Sequence, residues 1–406
     1  MEDLEMNDIV SVSATVGSSR GNMLTISEWK MNAFMQLELQ GTDIIPQIPL
    51  PNNKDINSGD LEKCMSELSS IRSNDREKHC VPTVTKIIRS EHPNHNVNCS
   101  GRKIFEANYT NTKQIEEHFK PEIRVRVGAV DEEFVVFGKR ENSYIDQNGI
   151  LHLVATWSNY SSIVDLGKSC TALRNNRRNR ECTILHQPRS SVPALDSALL
   201  QGKDHFIFKY GRVKIRAKMP IGDWLAPILW LVPKSTEPAQ TSPDHIKIAF
   251  TRGNTLLQDR ASNFIDGRVL FGGVEIARPV HPYNPQVQFS TDEHFGKDFH
   301  DFEIIWREDK IIYKFDGIRF GHIESTEVLK TFEDGAYLMV GLTAGGKRNF
   351  NEDVVHPEHK KHIYNNSDAH ANEIFKSNKN KFVHTWKHPE LEIAYIHVYS
   401  TDNQDE

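Results

Sequence analysis

The sequence predicts an all-β fold, either an antiparallel sandwich or a barrel. From about residue 100 onward, short runs of β-branched and aromatic residues recur, and Gly, Asn, Asp and Pro separate them. Several runs alternate apolar and polar residues with a period of two, the pattern of a strand that buries one face. Sustained helical heptads and longer internal repeats are absent from the sequence. The predicted strands include residues 150–156, 211–219, 301–306, 310–315 and 391–399.

The run at 211–219 shows the alternation most clearly. Val213, Ile215 and Ala217 share one face, and basic residues occupy the other. Two hairpins are also predicted, one turning between Trp306 and Ile311 and one at Asp316-Gly317, a residue pair that tolerates the positive φ angles of a tight turn. The basic residues of the opposite face are Arg212, Lys214, Arg216 and Lys218.

Composition restricts the class of protein. The chain has 406 residues, and 49 Lys and Arg against 55 Asp and Glu give a formal net charge of −6. This near-neutral balance argues against a nucleic-acid binder held by bulk charge. The longest apolar run, residues 224–232, is shorter than the ~18 residues that a membrane span needs.

The first 79 residues differ from the rest of the chain. They contain two aromatic residues, Trp29 and Phe34, and are rich in Ser, Asn, Asp and Glu. Such a segment buries too little apolar surface to fold stably. We expect a largely disordered N-terminal extension over 1–79, followed by one β-sandwich domain over 80–406.

The cysteines bear on the cellular compartment. Cys80 and Cys99 bound one short polar loop, and Cys170 and Cys182 bound another, so two local disulfides are predicted, although sequence alone does not fix the pairing. Four Asn-x-Ser/Thr sequons fit a secreted glycoprotein. The acidic start Met1-Glu-Asp-Leu is not a signal peptide, yet we expect an extracellular protein whose mature start differs. The sequons begin at Asn98, Asn108, Asn159 and Asn365.

Several motifs in order carry a resemblance to a known family. The segment Tyr210–Asn254, together with the motifs named below, resembles glycoside hydrolase family 16, the laminarinase-like enzymes with a concanavalin A-like jelly roll. It is more similar still to the insect β-1,3-glucan recognition proteins, also called Gram-negative bacteria-binding proteins. The resemblance covers roughly residues 100–400 and implies a jelly-roll β-sandwich. The further motifs are Ile104–Asn108, Phe299–Trp306, Gly341–Gly346 and Tyr395–Tyr399.

The resemblance also implies a lost active site. Active members carry Glu-x-Asp-x-x-Glu on the strand that spans 245–250 here, because a retaining glycosidase needs a carboxylate nucleophile and an acid about 5–5.5 Å apart. In this chain those three positions are His245, Lys247 and Phe250. The family's hydrolytic mechanism therefore cannot operate on this strand, and we expect no catalytic residue.

The position of Phe250 is left open between two alternatives. A regular strand turns His245 and Lys247 to one face and Phe250 to the other, where it joins the core. The enzymes instead have a bulge that brings the last glutamate to the cleft. If that bulge persists, the Phe250 ring lies at the cleft.

Carbohydrate binding is the chemistry that such a cleft could retain. Sugar rings stack on aromatic faces, and their hydroxyls bond to polar side chains. The resemblance places Trp224 and Trp230 at cleft tryptophan positions, with burial in the core as the alternative for each. Arg252 and Asn254 would fix a loop or bind a ligand hydroxyl. The expected ligand-binding residues are Trp224, Trp230, His245, Lys247, Arg252, Asn254 and His300.

Two other clusters carry less functional signal. Four arginines between Arg174 and Arg180 would suit an anionic microbial polymer, although a solvated loop is the simpler interpretation. His356, His359 and His362 lie beside Pro357 and two lysines, which disfavours convergence on a metal. We expect no cofactor and no metal.

The leading hypothesis is a non-catalytic pattern-recognition protein of innate immunity that binds β-1,3-glucan or a related microbial cell-wall polysaccharide. One alternative is a diverged sandwich that binds a protein, such as an immune serine protease or a receptor, and no sugar. Another is a residual β-1,3-glucanase with relocated catalytic groups. No nucleic-acid partner and no membrane span are expected.

Overall fold

A computed structural model describes residues 80–405, except 91–96, 110–112, 126–132, 139, 173–180, 189, 237–242, 277–284 and 358–361, and also Ile9–Val10 and Trp29–Lys30. The chain divides into two compact units, Met1–Asn74 and Asp75–Glu406. In the first unit, Ile9–Val10 pairs antiparallel with Trp29–Lys30. The rest of the predicted N-terminal extension and the cluster Arg174–Arg180 lie outside the described residues.

The described secondary structure is mostly strand. The 3₁₀ turns are Arg140–Asn142, Gly167–Ser169 and Val383–Thr385. The short helices are α1 (Lys113–His118), α2 (Thr326–Lys330), α3 (Ala371–Ser377) and α4 (Lys379–Phe382). The strands are β1 (Ile9–Val10), β2 (Trp29–Lys30), β3 (Lys86–Ser90), β4 (Lys103–Asn108), β5 (Lys120–Pro121), β6 (Arg124–Val125), β7 (Val135–Phe137), β8 (Ser143–Ile145), β9 (Leu151–Val154), β10 (Thr156–Trp157), β11 (Ile163–Asp165), β12 (Thr183–Leu185), β13 (Leu195–Ser197), β14 (Leu199–Gln201), β15 (Phe206–Lys209), β16 (Gly211–Lys218), β17 (Leu225–Pro233), β18 (His245–Phe250), β19 (Gln258–Asp259), β20 (Val269–Glu275), β21 (Gln286–Ser290), β22 (His300–Trp306), β23 (Ile311–Phe315), β24 (Ile318–Ile323), β25 (Ala336–Ala344), β26 (Val354–Val355) and β27 (Glu390–Tyr399).

Two large antiparallel sheets form the jelly-roll sandwich. Sheet I has the order β21-β20-β18-β17-β25-β14-β5, with β15 beside β25 and β3 beside β15. Sheet II has the order β24-β23-β22-β16-β27-β9-β8, with β4 also beside β27. The central strands β17 and β25 of sheet I are buried along their whole length, which explains their nearly continuous apolar sequences.

The core lies between the two sheets, and one close approach shows how tightly they pack. The Tyr313 hydroxyl on β23 donates to the Gly273 carbonyl on β20 at 3.0 Å. A Cβ at the adjacent Gly272 would lie 2.3 Å from the Tyr313 ring, so glycine is required there. Interiors packed this closely leave no room for even one added methyl group.

The structure confirms the predicted all-β class and its local signals. In β16, Val213, Ile215 and Ala217 are fully buried, and the alternating residues are partly exposed. Asp316 and Gly317 have φ angles of 46° and 81°, as a tight primed turn requires. Both expected disulfides are present, Cys80–Cys99 and Cys170–Cys182.

The helices bear on the question of a membrane span. Among the described residues, no helix is long and apolar enough to cross a bilayer.

Candidate functional site

The candidate site lies at the centre of sheet I, where β17, β18 and β20 are neighbours. Trp230 on β17 lies opposite Lys247 on β18. His245 and Lys247 in turn lie opposite Glu275 and Gly273 on β20. The three positions to which the resemblance assigns the enzymes' carboxylates therefore belong to a paired part of the sheet.

The β18 strand keeps a bulge. Its register with β20 shifts between Lys247 and Phe250. As a result the Phe250 ring lies beside two cations, with its centroid 5.4 Å from Lys247 Nζ and 5.3 Å from the Arg252 guanidinium carbon. The bulged alternative is thus the one adopted, yet the ring is only 5% exposed and also belongs to the buried core.

His245 has become part of the packed interior. Its ring stacks on Trp230 with centroids 3.8 Å apart and planes inclined by 19°. Nδ1 lies 2.8 Å from the Pro243 carbonyl, to which it donates as the protonated nitrogen of a neutral ring. Burial lowers the pKa of His245 well below its ordinary value, so the imidazole is uncharged at neutral pH.

A carboxylate that sequence reasoning missed lies at this site. Glu275 Oε2 is 2.7 Å from Lys247 Nζ, and Oε1 is 2.7 Å from Arg348 Nε. Burial is the largest single influence on Glu275 and opposes its ionisation, but the neighbouring cationic side chains, Lys247 first and then Arg348, together outweigh it and lower the pKa to about 2. A carboxylate with that pKa is ionised at neutral pH and has no proton to give, so it cannot serve as a general acid.

Arg348 belongs to a stretch that covers the site. We call residues 347–364, of which 358–361 are not described, the covering segment. Its Phe350 and Tyr364 rings lie 5.3 and 5.7 Å from the Trp224 ring, and its His362 ring lies 5.0 Å away. His362 is within hydrogen-bonding distance of the Tyr364 and Phe350 carbonyls, at 2.7 and 3.2 Å.

This cover determines where the two expected stacking tryptophans lie. Trp224 is 1% exposed and Trp230 is 2% exposed, so both occupy the buried alternative. The expected open stacking faces are absent from this conformation because aromatic residues of the covering segment pack on Trp224 and Arg348 lies 5.9 Å from the Trp230 ring centroid. A sugar would have to displace these side chains to reach either ring.

Arg252 and Asn254 fix the loop after β18. Arg252 donates to the Asn349 carbonyl at 2.8 Å and to the Ile265 carbonyl at 3.3 Å. Burial lowers its pKa to about 10, which still leaves it charged at neutral pH. Asn254, fully buried, accepts a bond from the Trp224 backbone N–H at 3.0 Å. This contact holds Trp224 at a φ of 70°, a left-handed conformation that costs a non-glycine residue free energy.

His300 lies on the other sheet, at the start of β22. Its Nδ1 is 2.8 Å from Asp316 Oδ2, and its ring packs near Phe315 and Phe295. The side chain is 25% exposed. The structure thus brings Trp230, His245 and Lys247 together on neighbouring strands. Arg252 and Asn254 lie in the loop after β18, and Asn254 contacts Trp224, which directly precedes β17. His300 lies on sheet II.

The family signature of the glycosyl hydrolases family 16 matches residues 167–359. The chain is 32% identical over 333 residues to Gram-negative bacteria-binding protein 2 of Drosophila melanogaster, covering 80% of this chain and 68% of that protein. It is 27% identical over 337 residues to β-1,3-glucan-binding protein 1 of Manduca sexta, covering 74% of this chain and 65% of that protein.

The fold is also similar to a solved enzyme structure. The catalytic domain of an endo-1,3-β-glucanase from Thermotoga petrophila superposes with a TM-score of 0.50 at 18% identity, covering 75% of this chain and 99% of that domain. At this identity the likeness establishes the shared fold.

Proposed function

Because this chain belongs to the family of the insect Gram-negative bacteria-binding and β-1,3-glucan-binding proteins, we propose that it recognises β-1,3-glucan or a related microbial cell-wall polysaccharide in innate immunity. The relatives carry names that state such binding. The proposal extends that property to this chain, which spans about two thirds of the length of those relatives.

We propose that recognition occurs without hydrolysis, and the substituted strand carries this inference. His245 is buried and neutral, Lys247 is paired with Glu275, and Phe250 has no ionisable group. Glu275, the carboxylate that contacts Lys247 and Arg348, has a pKa of about 2. A retaining mechanism needs a protonated acid beside a nucleophilic carboxylate. This group of residues offers no protonated acid, and its one carboxylate is held between Lys247 and Arg348.

The proposed binding residues remain Trp224, Trp230, His245, Lys247, Arg252, Asn254 and His300. Most of the six residues from Trp224 to Asn254 lie beneath the covering segment. Glucan would therefore reach the two tryptophans when this segment moves aside. The segment is held by separate contacts: Arg348 to Glu275, the Asn349 carbonyl to Arg252, and Phe350 on Trp224. We propose that ligand binding exchanges these aromatic and polar contacts for equivalent contacts to sugar.

The compartment that fits this function is extracellular. Two disulfides are typical of proteins that fold in an oxidising environment. The asparagines of all four sequons are exposed, as glycan attachment requires: Asn98, Asn108, Asn159 and Asn365. The proposal predicts a secreted glycoprotein.

Affinity sedimentation tests the proposal. We expect the purified protein to co-sediment with insoluble curdlan, with recovery well above that on cellulose or bare resin. We also expect no reducing-sugar release from laminarin at enzyme concentrations where a laminarinase gives a strong signal. Equal recovery on all three solids would remove the binding claim, and laminarin cleavage that a carboxylate substitution abolishes would restore the glucanase alternative.

The burial of Trp224 and Trp230 favours a second candidate, a sandwich that binds an immune serine protease or a receptor and no sugar. Cross-linking mass spectrometry in haemolymph, run beside a glycan array, separates the two. Specific protein cross-links with a blank array would favour this candidate.

A further inference from the structure

A second group of ionisable side chains lies on sheet II, away from the covered site. His152 on β9 lies directly opposite Glu392 on β27. Glu390 and Glu392 alternate with Leu391 and Ile393, which are fully buried, so both carboxylates face away from the core. His152 likewise lies between two buried leucines, and it is itself only 8% exposed.

The donor atoms of this group converge. His152 Nδ1 is 2.8 Å from Glu390 Oε2 and 3.9 Å from Glu392 Oε1. One donor atom from each of the three residues lies within 4.8 Å of the others. A cation with bonds of about 2.0–2.2 Å separates neighbouring ligands by roughly 3–3.6 Å, so small rotamer adjustments suffice to enclose one.

The surroundings supply the outer contacts that a metal-binding histidine needs. The second nitrogen of His152, Nε2, is buried without a hydrogen-bond partner and faces Asp146 Oδ2 at 3.7 Å. Nδ1 donates to Glu390 Oε2 at 2.8 Å in this structure. A metal would take the place of that proton, and Asp146 is close enough to accept the proton of Nε2 after a small shift. His388 Nε2 lies 3.1 Å from Glu392 Oε1 and can orient that carboxylate.

The local charge also favours a dication. Glu390, Glu392 and Asp146 contribute three negative charges, and the facing cationic side chain is Lys218, opposite Glu392 in the sheet. These three carboxylates outnumber the one ammonium group by two. Half-buried carboxylates this close together repel one another unless a cation lies between them.

We propose that His152, Glu390 and Glu392 form a binding site for a divalent transition-metal cation of the zinc class. The imidazole nitrogen favours such a cation over Ca²⁺, which prefers oxygen ligands. The bound metal would fasten β9 to β27 and stabilise the adjoining turn. There the His388 backbone pairs with Ile221, and the Trp386 indole donates to the Asp223 carbonyl at 3.0 Å.

Calorimetric titration of EDTA-treated, dialysed full-length protein with ZnCl₂ tests the site. We expect one zinc per chain, no comparable binding of CaCl₂, and a rise in melting temperature of about 4 °C at roughly 100 times the Kd. The double variant Glu390→Gln/Glu392→Gln should weaken zinc binding more than about 100-fold while melting near the wild type in EDTA.

The chain offers a matched control in a second histidine–glutamate group. His186, His370 and Glu373 also converge, but they are more exposed. We expect Glu373→Gln to bind zinc as the wild type does. The proposal would be overturned if only Glu373→Gln lost zinc binding, or if this control and the double variant bound zinc equally well. Tight binding of calcium without zinc would also overturn it.

A measurement on the wild type keeps the test independent of variant folding. X-ray absorption at the zinc edge should show nitrogen and oxygen ligands with a single imidazole. A sulfur ligand or several imidazoles would place the metal elsewhere and contradict the proposed site.

Discussion

The ring of Trp230 lies parallel to the imidazole of His245, with centroids 3.8 Å apart. The resemblance to the family 16 enzymes assigns to His245 the position of their first catalytic glutamate. A charged carboxylate could not be buried against an indole without a large desolvation cost, whereas a neutral imidazole can. In this chain His245 is a packing contact of the interior, and that contact has consequences for stability.

Acid should destabilise the protein through His245. Its pKa is lowered by burial in the folded state and is about 6.5 in the unfolded chain, so below pH 6.5 the unfolded chain binds the extra proton. The free energy of unfolding should fall with decreasing pH, by up to about 1.4 kcal/mol per pH unit for this group. His294 and His362, whose pKa values burial also lowers, should add to the slope.

Urea denaturation at pH 7, 6 and 5 measures this slope. His245→Asn keeps an N–H that can donate to the Pro243 carbonyl, but its side chain cannot titrate. We therefore expect the pH dependence of the unfolding free energy to lose the contribution of about one bound proton. His322→Asn, at a ring that is 43% exposed, is the matched control and should keep the wild-type slope. An unchanged slope in His245→Asn would refute the assignment of a neutral buried imidazole.

Glu275→Gln should destabilise the fold strongly. It removes the negative charge between Lys247 and Arg348, each 2.7 Å away, and so takes a carboxylate partner from two cations that are partly or fully buried. Breaking such a buried pair costs about 3–5 kcal/mol. The midpoint of urea denaturation at pH 7 is the appropriate measurement.

The matched control for this prediction is Glu293→Gln. Glu293 Oε1 lies 2.6 Å from Lys297 Nζ, but the two side chains are 64% and 60% exposed. An ion pair so exposed contributes ~0–1 kcal/mol, so the control should barely shift the midpoint. Equal effects of the two substitutions would show that the Glu275 cluster is not a buried network.

Local sequence signals predicted much of this fold. The alternation of β16, the Asp316-Gly317 turn and the Cys170–Cys182 disulfide each depend on residues close together in the sequence, and the structure confirms all three. Glu275 could not be found in this way because its meeting with Lys247 depends on the register of β18 against β20. A lysine at a family carboxylate position was the available signal that a counter-charge lay nearby.

The covering segment also escaped sequence reasoning, for a related reason. Phe350 lies roughly 125 residues from Trp224 along the chain, and no local pattern specifies contacts at that separation. Trp230, His245 and Lys247 lie on neighbouring strands of sheet I, but whether a cleft is open there depends on such distant contacts. Expectations for Trp224 and Trp230 therefore left burial as an alternative, and burial is what the structure has.

Removing part of the cover should strengthen glucan binding. Phe350 is fully buried against Trp224 and lies 5.8 Å from the Arg252 guanidinium, so Phe350→Ala uncovers one edge of the proposed site. It should also cost about 3–5 kcal/mol of stability, as for other large core truncations. If glucan binds where we propose, the weakened cover is displaced more easily, and laminarin affinity measured by calorimetry should rise several-fold.

Phe208→Ala separates this effect from general loosening. Phe208 is equally buried but packs on Phe206 and Trp306, away from Trp224 and the covering segment. It should lose comparable stability and keep wild-type laminarin affinity. If both variants bind laminarin as the wild type does, glucan recognition takes place outside the covered site, because a ligand that never displaces Phe350 has no reason to respond to its removal.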